Sequence, residues 1–257
     1  MDKRHNILTR LGSALRRQDK TAIAVEFAIV FAGVLLGTQV SNWNDGRIER
    51  AKTVEMVRDL KPELHNQADV LAGSLDYYRI TRRYAETAYA GWRGDPQVSD
   101  RDFVIASYQA SQMTFTGMNI GSWSAIFGSD QLRSLHDQQL RNDLSALMTQ
   151  DYAVLEQELF TEYRRHVREI IPEEIQDAIR AQCGDRRPNI GGGIVLPSSC
   201  KIDLPDELFN AAARDLRAHP ELLGQLRWHF AAIASYVGNI DNLQAIANRA
   251  LDRLGKA

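Results

Sequence analysis

Nothing in the 257-residue chain alternates apolar and polar side chains for long enough to make a strand, which sets sheet-based folds aside. The usual catalytic signatures are missing as well. The six histidines are scattered and no H-E-x-x-H occurs. There is no G-x-S-x-G and no Cys–His nucleophile arrangement. Gly191-Gly192-Gly193 has no Lys-Ser/Thr after it and no strand before it, so it is not a phosphate loop. Internal repeats and low-complexity tracts are absent too. The sequence names no reaction.

What is present is one long apolar run. Residues 22–40 span 19 positions, roughly 28 Å as a helix and close to the thickness of a bilayer core. The next apolar run, residues 230–237, is too short to cross and belongs to an amphipathic pattern. Residues 1–20 hold six Lys/Arg against Asp2 and Asp19, a net of +4 in a chain whose total is −2. The remainder is therefore acidic, which argues against nucleic acid as a partner. The basic flank places residues 1–20 in the cytoplasm and residues 41–257 outside it. The run is long for a cleaved signal, and no small-x-small site follows cleanly in "GTQVSNWN", so an uncleaved anchor is expected. Ile7, Leu8, Leu11 and Leu15 share a face that suits either a helix lying on anionic lipid or a basic tail.

Cys183 and Cys200 flank the loop-like "GDRRPNIGGGIVLPSS". Outside the cytoplasm a disulfide is the default, worth about 3 kcal/mol for a loop of this size in the chain-entropy picture. The triple glycine then reads as the tip of that loop.

Beyond the apolar run the patterning is helical almost throughout. Leu60, Leu64, Leu71, Tyr78, Ala85 and Trp92 recur at helical spacing, which predicts one helix from the span to about Gly91, kinked or briefly broken at Pro62. Ser99, with Asp102 three residues later, marks a helix start. Short helices and turns are expected around Gly117, Gly121 and Gly128, packed by Phe115, Trp123, Phe127, Leu132 and Leu135. A long helix is expected over residues 137–181, bent or restarted at Pro172. A short helix follows, capped by Asp203 or Asp206. The last helix starts at Pro220 with an apolar stripe from Leu222 to Leu254. The expected fold is all-α: a single transmembrane helix, residues 21–43, continuing into an extracytoplasmic antiparallel helical bundle, residues 44–257.

Candidate sites are few. Glu158, Glu162, His166, Glu169 and Glu173 would share one face of a continuous helix. A metal site there, centred on Glu162, His166 and Glu169, is the alternative to a solvated charged face. Arg164, Arg165 and Arg168 lie close by and oppose a cation. Tyr77, Tyr78, Tyr84, Tyr89 and Trp92 read as core and interface packing rather than as a ligand pocket. Within the span, Gly33 and Gly37 fall within about 20° of Glu26. Small residues beside a carboxyl suit close helix–helix contact in a membrane, whereas a Glu this near the interface can also simply reach back to it. Gln39, Asn42, Trp43 and Asn44 mark the outer membrane exit, with Trp43 at headgroup level.

"VEFAIVFAGVLLGTQVSNWNDGRIER" resembles the opening of a family of bacterial single-span proteins, domain of unknown function family 6090. The matching pattern is Glu26, Gly33, Gln39, Asn42-Trp43-Asn44 and Arg47. "SWSAIFGSDQLRSLHDQQLRNDL" resembles a second segment of that family through Ser122, Ile126, Gly128, Ser129, Leu132, Leu135, Leu140 and Arg141, with Gly and Ser exchanged. Together the two cover about a fifth of the chain. The cysteine loop is no part of the pattern. The resemblance implies an inner-membrane, single-pass topology and no activity.

The expectation is a membrane-anchored periplasmic helical domain without enzymatic role or cofactor. It would sit in the lipid bilayer and bind a membrane partner protein or a second copy of itself, as sensor or scaffold. Some 20 cytoplasmic residues cannot hold a kinase or cyclase module, so a signal would pass to a separate protein. The alternative is a metal-binding or enzymatic bundle around His166.

Overall fold

The computed structural model describes residues 20–114, 132, 135–187 and 193–255. The fold is all-α, and the described residues contain eight helices and no strand. The expectations at residues 1–19 and at Phe115, Gly117, Gly121, Ser122, Trp123, Ile126, Phe127, Gly128, Ser129, Gly191 and Gly192 lie outside these residues. The chain divides into two compact units, Met1–Glu55 and Met56–Ala257.

The described part of the first unit is the start of helix α1, Lys20–Trp92, which runs on into the second. From Ala24 its beginning is the one described segment long and apolar enough to cross a membrane, and none of that stretch is buried against protein. Phe27 and Leu36 are about two-thirds exposed.

Within the second unit, α1 buries Leu60, Leu64, Leu71, Tyr78 and Ala85, the residues that carried the helical pattern. The helix passes through Pro62 without a break. A proline costs an interior helix about 3 kcal/mol. The leucines at 60 and 64, each worth about 1.5–3 kcal/mol buried, offset it from both sides.

Helix α2, Asp100–Ala110, starts as expected. The Ser99 hydroxyl accepts from the Asp102 amide and donates to the Asp102 carboxylate at 2.6 Å, a reciprocal cap. The single long helix expected over residues 137–181 is instead four: α3 (Gln138–Thr149), α4 (Tyr152–Gln157), α5 (Glu162–Ile170) and α6 (Glu173–Cys183). Asp137 and Asp151 each cap a new start by accepting a backbone amide. Pro172 precedes the last. The apolar rhythm survives the breaks because every piece packs inward, with Leu140, Leu147, Leu159, Val167 and Ile175 all buried. Helices α7, Asp206–Arg217, and α8, Glu221–Leu254, complete the unit, each preceded by proline; α7 takes Pro205 at its N-cap with no side-chain cap, not Asp203 or Asp206 as expected, because the fixed proline φ already suits a helix start.

Two apolar clusters hold it together. One joins α1, α3 and the C-terminal half of α8. The other joins α2, α5, α6, α7 and the start of α8 around Phe103, Tyr163 and Phe209. Helix α8 contacts both α3 and α5, and α7 lies on α2.

Candidate functional site

Five places carried an expectation, and the structure treats them differently. In the first unit, an added Cβ at Gly33 or Gly37 would meet nothing within 4 Å, so the side of α1 that they share with Glu26 is open. Further along α1, the Arg47 guanidinium lies 5.8 Å from the centre of the Trp43 ring and reaches Asn44 Oδ1 at 3.5 Å. Trp43, Asn44 and Arg47 are thus brought together one turn apart, and Trp43 itself is exposed. Gln39 and Asn42 lie on the same exposed stretch.

Cys183, the last residue of α6, lies at disulfide distance from Cys200, with sulfurs 1.97 Å and Cα atoms 5.4 Å apart. The loop between them is clasped to α1. Tyr77 donates to Asp185 Oδ1 at 2.9 Å, and Tyr84 to the Pro197 carbonyl at 2.8 Å. Gly193 lies so close to Gly73 that an added Cβ on Gly73 would stand 2.9 Å from the Gly193 Cα. Arg186 and Val195 exchange two backbone hydrogen bonds across the loop. Beside it runs an open surface groove floored by Tyr77, Ile80 and Leu196 and rimmed by Arg79, Arg82 and Arg83. Of the aromatic residues, Tyr77 and Tyr78 are core residues, and Trp92 packs edge-on against Phe103 at 4.9 Å.

The carboxylate–histidine face does not form as one surface. Glu158 caps the end of α4 and Glu173 opens α6, so only Glu162, His166 and Glu169 share α5. There Arg165 takes the carboxylates for itself, binding Glu162 and reaching Glu169 at 3.2 Å. The Arg165 hydrogen bond chiefly, with the guanidinium's charge, holds Glu162 below the usual carboxylate range. The His166 Nδ1 is 2.9 Å from Gln225 Oε1. Among the described residues no group of three or more His, Cys, Asp or Glu is arranged to hold a metal ion.

The inward side of α5 holds a polar cluster that the sequence did not announce. It closes the C-terminal end of α2, where carbonyls lack helical partners. Tyr163 donates to the Ser107 carbonyl at 2.8 Å. His229 lies between Thr161 and the Ala110 carbonyl, its Nδ1 2.7 Å from the hydroxyl and its Nε2 3.1 Å from the oxygen. Burial pushes this imidazole down to about 4, so it is neutral. A carbonyl can only accept, so the proton sits on Nε2. Arg164 donates to the Ser111 carbonyl. Arg168 donates to Ser111 Oγ, Tyr108 Oη and Gln112 Oε1, with its guanidinium 4.5 Å over the Tyr108 ring. Arg180 reaches the same Tyr108 hydroxyl at 3.3 Å. The signal in the sequence was the four-residue spacing of Arg164 and Arg168, one helical turn, bracketing the buried Val167.

No protein-family model, curated protein or solved structure matches the chain.

Proposed function

We propose that the protein is a single-pass bacterial inner-membrane protein with residues 1–20 in the cytoplasm, a membrane helix over residues 21–43 and a periplasmic helical domain over residues 44–257. Its role is to bind a partner protein or assemble with itself, without catalysis of its own. The observation that carries this reading is the uncovered apolar start of α1. Every described side chain from Ala24 to Trp43 is exposed, although this is the most apolar stretch of the chain. In water such a surface would be costly, and a bilayer removes the cost. The basic flank supplies the orientation. The cysteine pair at disulfide distance suits an oxidising compartment. The proposal includes kinship with domain of unknown function family 6090, resting on residues 26–47.

Docking to another membrane helix would use the side bearing Glu26, Gly33 and Gly37, where nothing hinders close approach. The topology is tested by fusing reporters after Ala257. A periplasm-only reporter should be active there and a cytoplasm-only reporter silent. The reverse pattern would overturn the orientation, and release of the protein by alkaline carbonate would overturn the span.

A further inference from the structure

Arg164 and Arg168 face inward from α5, and both are half-buried. They converge on one residue, Arg164 through the Ser111 carbonyl and Arg168 through its hydroxyl at 3.3 Å. The other long-range arginines of this unit end on carboxylates: Arg101 on Asp206, Arg217 on Asp100, Arg249 on Asp143 and Arg253 on Asp137, at 2.6–3.1 Å. Arg165, on the outer side of α5, is held by Glu162 and Glu169. Among the described residues no carboxylate lies within ion-pair distance of Arg164 or Arg168. The Nε and Nη2 of Arg164 make no hydrogen bond there either.

Capping the end of α2 does not account for both groups. A helix C-terminus offers about half a negative charge against two whole positive ones. Asp185 is the carboxylate whose field reaches both guanidinium groups, but it is bound by Tyr77 and touches neither. Arg180, the third cation at Tyr108, is matched by Asp177. Set against the Asp185 carboxylate, the pair keeps a net positive charge in a half-buried setting. Its free donors form a fork, the geometry that takes an oxyanion.

We infer that Arg164 and Arg168, with Gln112 and Tyr108 holding the second guanidinium in place, form a binding site for one small oxyanion, a carboxylate or a phosphate-type group. Arg164 supplies the open donors, and the Arg168 charge draws the ligand in. The site lies wholly within Met56–Ala257 and does not depend on the topology proposed above.

The test uses the full chain in detergent micelles, with melting followed at constant ionic strength while chloride is exchanged for inorganic phosphate or for acetate. A saturable rise of about 3–6 °C is expected at tenfold excess over Kd with at least one of them. The arm that responds tells a tetrahedral from a planar anion. Arg164→Gln should abolish the response, Arg165→Gln should retain it, and Asp185→Asn should tighten binding several-fold by removing the competing carboxylate. Because Arg168→Gln also strips Tyr108 and Gln112 of a partner and can unfold the unit, the wild type is titrated in parallel. The Arg164 Nε–H resonance should shift saturably with the same anion. Absence of any rise with both anions, a flat Arg164 resonance, or an undiminished response in Arg164→Gln would overturn the site.

Discussion

Tyr77 and Asp185 stand 108 positions apart in the chain and 2.9 Å apart in space, the phenol donating to the carboxylate. Burial, with the Asp185 charge beside it, holds the phenol protonated far above its ordinary range, so it remains a donor. Burial also raises the Asp185 carboxyl, against the lowering effect of the Tyr77 hydrogen bond and the two arginines.

Tyr77→Phe should therefore destabilise the protein by about 1–2 kcal/mol and push the Asp185 carboxyl higher still. A raised carboxyl in the folded state means that the folded protein holds its proton more tightly. Its penalty is absent below the unfolded value near 3.8 and grows as pH rises through the folded one. Asp185→Asn should flatten that part of the stability profile. Denaturant melts at stepped pH read both effects.

His229 works with the opposite sign. Its folded value of about 4 lies below the ordinary 6.5, so the unfolded chain binds the extra proton between those limits. Stability should be full above pH 6.5 and fall as pH drops towards 4, by about 3 kcal/mol in total. His229→Gln should remove this slope, leaving a less stable protein with a flatter profile over pH 4–6.5. An unchanged slope in the variant would assign the titration elsewhere.

Two glycines should respond in opposite directions to alanine. At Gly73 the new Cβ would press on backbone atoms of Gly193 at 2.9 Å, which cannot swing aside as a side-chain tip would. Gly73→Ala should destabilise by about 1–3 kcal/mol despite its better helix propensity. At Gly238 in α8 nothing lies within 4 Å, and Gly238→Ala should stabilise by about 0.5–1 kcal/mol. Thermal melts of the two variants give the comparison.

In a membrane two-helix association assay, Gly33→Ile and Gly37→Ile should weaken pairing of residues 21–43 by tenfold or more through lost close approach. Glu26→Ala should weaken it if the carboxyl bonds across the contact. Equal association of all three with the wild type would leave Glu26 only reaching for the interface.

The sequence by itself determined the all-α class, a membrane-length helix near the N-terminus and the cysteine pairing, because each is written in local terms. Helical periodicity named Leu60, Leu64, Leu71, Tyr78 and Ala85 as the buried side of α1, and they are buried. The Ser99 and Pro220 starts were legible for the same reason. The breaks at Gln150 and around Thr161 were not. Apolar spacing carries on across them, and the side chain that opens α4 is an ordinary aspartate. Only the tertiary structure decided what the polar residues of α5 do. From spacing, Glu162, His166 and Glu169 stood out, yet they share the outer surface with Arg165. The consequential pair, Arg164 and Arg168, was read only as charge opposing a cation at that face. Which of three arginines in five residues faces inward depends on where α2 ends, more than fifty residues earlier in the chain. That proximity exists only once α2 and α5 have packed.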